Sequence, residues 1–239
     1  MHALDSARNV GVLVPSANPV VEPELNRLLP PTLRLFAARL PVMPGTTLQE
    51  RNRQYAGTYA AALDSFGGLA LDAAVVGMTG PSYALLPDGD RALAKALSRP
   101  ARPVQTASGA IADALLALGA RRICLFSPYP QWLTDEAAAY WTAAGHDVVQ
   151  VIKTGETFRA YELTTAEVAS ALRDVRHDAV DAVVMSGTGM LTLPAILTSR
   201  PALPFLSSNL CCAWWLIRAT GTTPSPLFAA VSPGLAATL

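Results

Sequence analysis

The chain has 239 residues, of which 51% are hydrophobic and 15% charged, and its 18 basic and 18 acidic residues leave a net charge of zero. This balance argues against a nucleic-acid partner, which needs a basic face to neutralise phosphates. No run approaches the roughly 18 apolar residues of a membrane-spanning helix. Cys124, Cys211 and Cys212 are too few and too unevenly spaced for a disulfide framework or a zinc site. Since the first residues show no cleavable signal pattern, we expect a cytoplasmic protein.

The first half of the chain alternates short apolar runs with longer helical patterns, as in a parallel sheet with crossover helices. We predict strands at 10–14, 33–37, 73–76 and 103–105. We predict helices at 20–28, 48–66, 88–97 and 108–118. Ser108 is the predicted N-cap of the last of these helices.

The second half repeats this order. We predict strands at 122–126, 148–151, 182–185 and 204–206, and helices at 133–144, 165–175, 193–198 and 209–220. Thr164 and Glu167 form a capping-box pattern before the helix at 165–175. The repetition predicts two similar α/β lobes with parallel sheets related by a pseudo-twofold, at residues 1–118 and 119–221. The last helix of the first lobe could swap toward the second lobe, and residues 222–239 form a tail with no assigned element.

Two loops stand at equivalent places in the two lobes. The stretches "VVGMTGPSYAL" (75–85) and "VVMSGTGMLTL" (183–193) each join a buried strand to small and hydroxylated residues. Ligands bind at the carboxyl ends of parallel strands. A pseudo-twofold would therefore bring both loops to one cleft, where they could hold a small anion.

Five segments in this order resemble a known family. They are "GVLVPSANPVVEPELNRLLP" (11–30), "DAAVVGMTGPS" (72–82), "ALGARRICLFSPYP" (117–130), "DAVVMSGTGMLTL" (181–193) and "LPFLSSNLCCAWWLIRATG" (203–221). Together they resemble the aspartate/glutamate racemase superfamily, within it the maleate cis-trans isomerase and arylmalonate decarboxylase branch. The resemblance implies two Rossmann-like lobes with the active site in the cleft between them, no metal and no organic cofactor.

The resemblance also implies a pair of catalytic cysteines, one from each lobe, of which the decarboxylases keep only the second. Matching of flanking residues puts these two positions on Gly80 and Gly187, so neither is cysteine here. Cys124 lies inside a predicted strand, where it is expected to be a small core residue. Both glycines also fit the simpler interpretation that tight turns demand them.

The remaining site residues that the resemblance implies are retained. Tyr129, Ser82 and Thr188 are the catalytic candidates, because their hydroxyls would donate to a carboxylate or an enediolate, and preorganised donors stabilise developing charge. Asn18 in "PSAN" would bind a carboxylate, although Asn is also a common turn residue. The other candidates for substrate binding are Gly80, Pro81, Phe158, Arg159, Ser186, Gly187 and Gly189. Among them, Arg159 would offer a second carboxylate clamp.

We therefore expect a cofactor-independent isomerase or carbon–carbon or carbon–oxygen lyase. It would act on a small carboxylate or dicarboxylate through an enediolate, without a cysteine nucleophile. The alternative is a catalytically inactive relative that binds a carboxylate. A purely structural module is disfavoured, because hydroxyl-rich loops at strand ends fit poorly to a flat protein-binding surface. A homo-oligomer through the apolar last helix is left open.

Overall fold

Two parallel four-stranded sheets form the centre of the molecule. The computed structural model describes residues 7–199 and 202–239. The strands of the first sheet are β1 (Arg8–Val14), β2 (Leu33–Arg39), β3 (Ala73–Val76) and β4 (Val104–Thr106). Those of the second are β5 (Arg122–Ser127), β6 (Asp147–Lys153), β7 (Ala182–Met185) and β8 (Phe205–Ser207). The orders β2-β1-β3-β4 and β6-β5-β7-β8 are the same, which confirms the predicted fold class of two similar α/β lobes.

The strand registers make the two sheets equivalent residue by residue. Val76 of β3 pairs with Leu13 and Thr106, and Met185 of β7 pairs with Phe126 and Ser207. Every residue of β3 and β7 is buried, because helices cover both faces of each sheet. Val76 and Met185 are therefore counterparts, and the loops that follow them leave the same edge of their sheets.

Helices surround the sheets and fill the space between them. They are α1 (Val21–Leu28), α2 (Leu48–Tyr55), α3 (Tyr59–Asp64), α4 (Gly80–Leu97), α5 (Ala107–Leu118), α6 (Gln131–Ala143), α7 (Thr165–Ala171), α8 (Thr192–Ser199), α9 (Ser208–Thr220), α10 (Pro226–Val231) and α11 (Pro233–Ala236). The helix α5 of the first lobe packs against α9 of the second, and α4 packs against α6. One hydrophobic cluster consequently runs through both lobes.

Several predicted helix boundaries differ from the observed ones. The segment predicted as one helix at 48–66 is broken into α2 and α3 by a 3-10 turn at Ala56–Thr58. Thr106, and not Ser108, caps α5, since its hydroxyl accepts from the Gly109 amide. The capping box of Thr164 and Glu167 on α7 is confirmed. Among the described residues no helix is both long and apolar enough to cross a membrane.

Candidate functional site

A cavity of about 150 Å³ opens between the lobes at the carboxyl ends of the strands. The first lobe contributes the loop after β1, the helix α2 and the loop after β3. The second lobe contributes the loops after β5, β6 and β7. The two loops selected from the sequence do face one pocket. Seven of the predicted site residues line it: Asn18, Gly80, Tyr129, Phe158, Gly187, Thr188 and Gly189.

Four predicted site residues do not line the pocket. Pro81 and Ser82 belong to the buried first turn of α4, and the Ser82 hydroxyl lies beside the buried carboxylate of Asp90. Ser186 also lies beneath the pocket, where its hydroxyl bonds the phenol of Tyr83. Ser82 and Ser186 are therefore used inside the core and do not face a ligand.

Arg159 is not the predicted second clamp. Its guanidinium is about half exposed and pairs with the carboxylates of Glu162 at 3.2 Å and Glu167 at 4.0 Å. This side chain fastens the segment before α7 to the first turn of that helix. The cation that lines the pocket is Arg51 of α2.

The strand registers correct the pairing of Gly80 with Gly187. Met78 stands two residues after Val76, and Gly187 stands two residues after Met185. Met78 is thus the counterpart of Gly187, and both line the pocket. By the same count, Gly80 is the counterpart of Gly189.

The backbone conformation at position 187 requires a glycine, and Gly187 also lines the pocket. Its φ is +90°, a region that L side chains rarely adopt, and an added Cβ would lie 3.1 Å from both the Tyr129 hydroxyl and Pro128 Cγ. The turn interpretation of this glycine is confirmed. The same geometry puts the Tyr129 phenol next to the place that a side chain at 187 would occupy.

The three cysteines lie elsewhere. Cys124 is inside β5, Cys211 and Cys212 are in α9, and all three are buried. Burial raises the pKa of the Cys124 and Cys212 thiols to about 12. Cys124 is a core residue, as predicted, and the pocket lining contains no thiol.

Asn18 and Thr188 tie the two lobes together at the floor of the pocket. The Asn18 Oδ1 accepts from the Val20 and Val21 amides at 2.9 and 3.2 Å, and its Nδ2 donates to Thr188 Oγ1 at 3.1 Å. The Thr188 hydroxyl donates in turn to the Gly77 carbonyl at 2.8 Å. Because its proton is already used, the Thr188 hydroxyl is poorly suited to the predicted catalytic role. Asn18 both holds the turn before α1 and lines the pocket.

Tyr129 presents its hydroxyl to the pocket from the loop after β5. The phenol oxygen lies 2.6 Å from Thr79 Oγ1, and its ring stacks on Phe158 with centroids 5.9 Å apart. Burial raises the pKa of Tyr129, so the phenol stays protonated and can donate a proton or a hydrogen bond. Thr79 was not predicted, although it is the counterpart of Thr188.

Backbone amides complete a cradle for an anion. Within residues 7–199 and 202–239, the amides of Thr79, Gly80, Gly187, Thr188 and Gly189 have no hydrogen-bond partner in the protein. These residues line the pocket from both lobes. Successive free amides in a loop form anion-binding concavities, and a carboxylate would supply the acceptors that these amides lack.

A buried carboxylate supports the second loop from behind. Glu24 of α1 accepts from the Leu193 amide at 2.7 Å, from the Thr192 hydroxyl at 3.0 Å and from Asn209 Nδ2 at 2.9 Å. The same Nδ2 donates to the Thr188 carbonyl at 3.1 Å. Burial raises the pKa of Glu24, and the three donors partly oppose that effect. The first lobe thereby fixes the loop that carries Gly187.

The family described as arylmalonate decarboxylase matches residues 10–228. The chain belongs to this family. A maleate isomerase of Geobacillus stearothermophilus is 28% identical over 219 residues, which are 83% of this chain and 86% of that protein.

Solved structures share the fold of this arylmalonate decarboxylase family member. The maleate isomerase of Pseudomonas putida has a TM-score of 0.84 at 21% identity and covers 94% of this chain and 99% of its own. A Nocardia farcinica maleate cis-trans isomerase mutant with a covalently bound succinylcysteine intermediate has a TM-score of 0.79 at 22% identity. Its match covers 91% of this chain and 94% of its own.

Sequence reasoning missed the α2 side of the pocket in this family member. Arg51, Asn52 and Tyr55 line the cavity, as does Tyr161 from the segment after β6. The titratable groups in the lining are thus one arginine and three tyrosines, with no carboxylate and no histidine. The part of the chain that the structure describes also contains no cluster of three or more His, Cys, Asp or Glu side chains that could hold a metal.

Proposed function

We propose that this member of the arylmalonate decarboxylase family binds a small carboxylate in the cleft and decarboxylates it through an enediolate, without a cysteine and without a cofactor. Family membership supports a function of the isomerase or decarboxylase type. The composition of the pocket favours decarboxylation within that range: it has free amides and a protonated phenol, but no base and no thiol.

Binding would use the amide cradle. One carboxylate would accept from amides of Thr79 and Gly80 on one side and of Gly187 to Gly189 on the other, with Tyr129 as a further donor. Fixed donors of this kind would stabilise the charge that develops on an enediolate more than they stabilise the substrate. The cradle therefore suits a reaction in which the retained carboxylate takes up an electron pair.

The pocket lining contains no carboxylate or histidine that could act as a general base. This absence favours decarboxylation over the other isomerase and lyase reactions. Racemisation, hydration and elimination all need a group that removes a proton, and isomerisation by covalent addition needs a strong nucleophile. Decarboxylation of a malonate-type acid needs neither. The bond to one carboxylate breaks, carbon dioxide leaves, and the electron pair passes into the other carboxylate to form the enediolate.

Tyr129 is the proposed proton donor to that enediolate. Its O–H bond breaks and a C–H bond forms at the carbon that lost carbon dioxide, and the phenolate then regains a proton from water by way of the adjacent Thr79 hydroxyl. The raised pKa of Tyr129 keeps the proton in place until a strong base such as the enediolate forms. General acid catalysis of this kind contributes on the order of 10²–10⁴ in rate.

The rival proposal is a carboxylate-binding protein without turnover. Met78 and Gly187 at the two equivalent positions favour it, because neither supplies a proton or a nucleophile. The same cradle would then hold a metabolite unchanged. Both proposals require carboxylate binding in the cleft, and they differ only in whether the ligand is consumed.

Thermal-shift measurements with small malonates, followed by NMR of each stabilising compound in D₂O, test the proposal. We expect loss of one carboxylate and incorporation of deuterium at the reacting carbon. Tyr129→Phe should lower kcat about 10²–10⁴-fold, whereas Tyr59→Phe, a buried tyrosine outside the pocket lining, should leave it unchanged. Stabilisation without consumption would support the binding protein instead, and no stabilisation by any carboxylate would refute both.

A further inference from the structure

We infer that Arg51 and Asn52 form a second anion subsite at the outer end of the pocket, which selects substrates whose substituent ends in an acidic group. This inference rests on the proposed function, because it assumes that a carboxylate occupies the amide cradle. It names the substrate class more narrowly: a malonate with a short acidic side chain, and not one with an apolar or aromatic side chain.

Arg51 is an uncompensated cation in the pocket wall. Within the described residues its guanidinium makes no hydrogen bond and no ion pair, although it is partly buried and lines the cavity. The deep end of the pocket is formed by Asn18 and Thr188, which are 1% and 5% exposed, whereas Tyr161 on the outer side is 38% exposed. Arg51 shares that outer side and is near enough for its charge to oppose the burial that raises the pKa of Tyr161.

Asn52 provides a second, independent sign of a missing ligand. Its side chain is 4% exposed, it lines the cavity next to Arg51, and its Nδ2 has no hydrogen-bond partner. Leaving a buried amide unpaired costs about 1–3 kcal/mol. The amide packs over Gly80, whose absent Cβ would lie 2.7 Å from Asn52 Nδ2 and 3.0 Å from Asn52 Oδ1. A bound anion between Gly80 and Arg51 would supply the acceptor that this amide lacks.

The acidic group at Arg51 is not the carboxylate that leaves. A guanidinium on the leaving carboxylate would stabilise the substrate more than the transition state, in which that group becomes neutral carbon dioxide, and would slow the reaction. Arg51 would instead hold an acid on the substituent. Such a group keeps its charge throughout, so its binding energy anchors the substrate while the chemistry takes place in the cradle.

The size of the cavity agrees with a short substituent. A dry cavity of about 150 Å³ accommodates a molecule of roughly the size of benzene, and this pocket has the same volume. Succinate, with about eight non-hydrogen atoms, is of this class, and it is what loss of carbon dioxide from carboxymethylmalonate would leave.

Calorimetric binding of succinate and 4-methylpentanoate tests the subsite. The two acids have the same shape, but an isopropyl group replaces one carboxylate in the second. We expect the wild-type protein to bind succinate about 10- to 100-fold more tightly, as a charge-assisted bidentate contact would give. Arg51→Gln should abolish this preference by weakening succinate alone, and Asn52→Leu should reduce it. Arg53→Gln is the matched control, since Arg53 is exposed on the same helix and outside the pocket lining.

The outcomes separate the subsite from the proposed function. Equal affinity of the wild-type protein for both acids, or equal weakening of both by Arg51→Gln, would overturn the subsite and leave the cradle intact. If neither acid binds, the proposed function fails and the subsite with it. Retention of 4-methylpentanoate binding by Arg51→Gln shows that the variant is folded and that its cradle is unchanged, so a loss of succinate binding is then specific to Arg51.

Discussion

Met78 is the residue at which the anion cradle can be tested without altering the backbone. It lines the pocket opposite Gly187, and its φ is not positive, so cysteine is tolerated there more easily than at Gly187. A thiol at 78 would lie next to the free amides and in the same pocket as Arg51, and both favour a thiolate. Met78→Cys should therefore react with the anionic reagent iodoacetate unusually well compared with neutral iodoacetamide.

The measurement is the ratio of the two alkylation rates by mass spectrometry of the native protein. We expect a ratio roughly tenfold higher for Met78→Cys than for Thr142→Cys, which puts a thiol on the exposed side of α6, because an anion is concentrated near unpaired positive groups. The wild-type protein should remain unlabelled, since its three cysteines are buried. Equal ratios for the two variants would contradict an anion cradle.

How far the sequence predicts the site depends on the kind of residue. Tyr129, Thr188 and Gly187 were predicted from the family resemblance, and all three follow strands whose carboxyl ends form the pocket. Gly80 was mispaired because the loops were matched by flanking residues, although both contain Thr-Gly, as Thr79-Gly80 and Thr188-Gly189. Aligning this shared pair gives the correct counterpart of Gly187, which the strand registers establish independently.

Elements with strong hydrophobic patterns were predicted more securely than those that begin at proline. All eight strands were expected close to their observed positions, because buried parallel strands read as continuous apolar runs. The helix predicted at 88–97 in fact begins at Gly80 as α4. Pro81 lies in its first turn, where proline is tolerated, and Pro87 directly follows a kink at Leu86. Arg51 was missed because helical periodicity does not tell which neighbouring loop a polar face will meet.

The segment predicted as a tail is part of the core. Ser225 caps α10 by accepting from the Phe228 amide and donates to the Leu28 carbonyl, and Phe228 and Leu235 are fully buried. Ser225 followed by Pro226 was a readable start signal for a helix. The segment therefore packs on α1 and α5 and is not an appendage.

Phe228→Ala tests this role of the last helices. Removal of a fully buried phenylalanine costs about 3–5 kcal/mol through lost transfer energy and the cavity that remains. Chemical denaturation should show a loss of this size in the free energy of unfolding. Leu227→Ala, at the partly buried neighbouring position, should lose clearly less. Similar small losses in both variants would mean that the segment contributes little to the fold.

At the scale of the whole molecule, the lobes are joined too closely for the sequence to show where each ends. The boundaries at 118 and 221 stay a prediction, and the packing of α5 on α9 makes a shared core. The site likewise depends on contacts far apart in sequence, from Asn18 to Thr188 and from Glu24 to Asn209. Patterns in one sequence do not reveal such pairs, because the two partners come into contact only when the lobes pack together.

Glu24 makes this docking sensitive to pH in a defined direction. The carboxylate has an ordinary pKa of 4.5 when unfolded, and burial raises the pKa in the folded chain. Between these two values the folded protein binds more protons than the unfolded chain, so this residue's contribution to stability is fully present below pH 4.5 and falls as the pH rises above it. Glu24→Gln removes the ionisation but keeps the shape of the side chain.

We therefore expect the free energy of unfolding of wild-type protein, taken relative to Glu24→Gln, to decrease over the range above pH 4.5, by about 1.4 kcal/mol for each unit by which the pKa is raised. Urea denaturation across this range measures the difference. Glu22→Gln, on the same helix and partly exposed beside Arg39, is the matched control. Parallel curves for wild-type and Glu24→Gln would mean that the donors Thr192, Leu193 and Asn209 fully compensate the burial, and that the lobes are held together independently of pH.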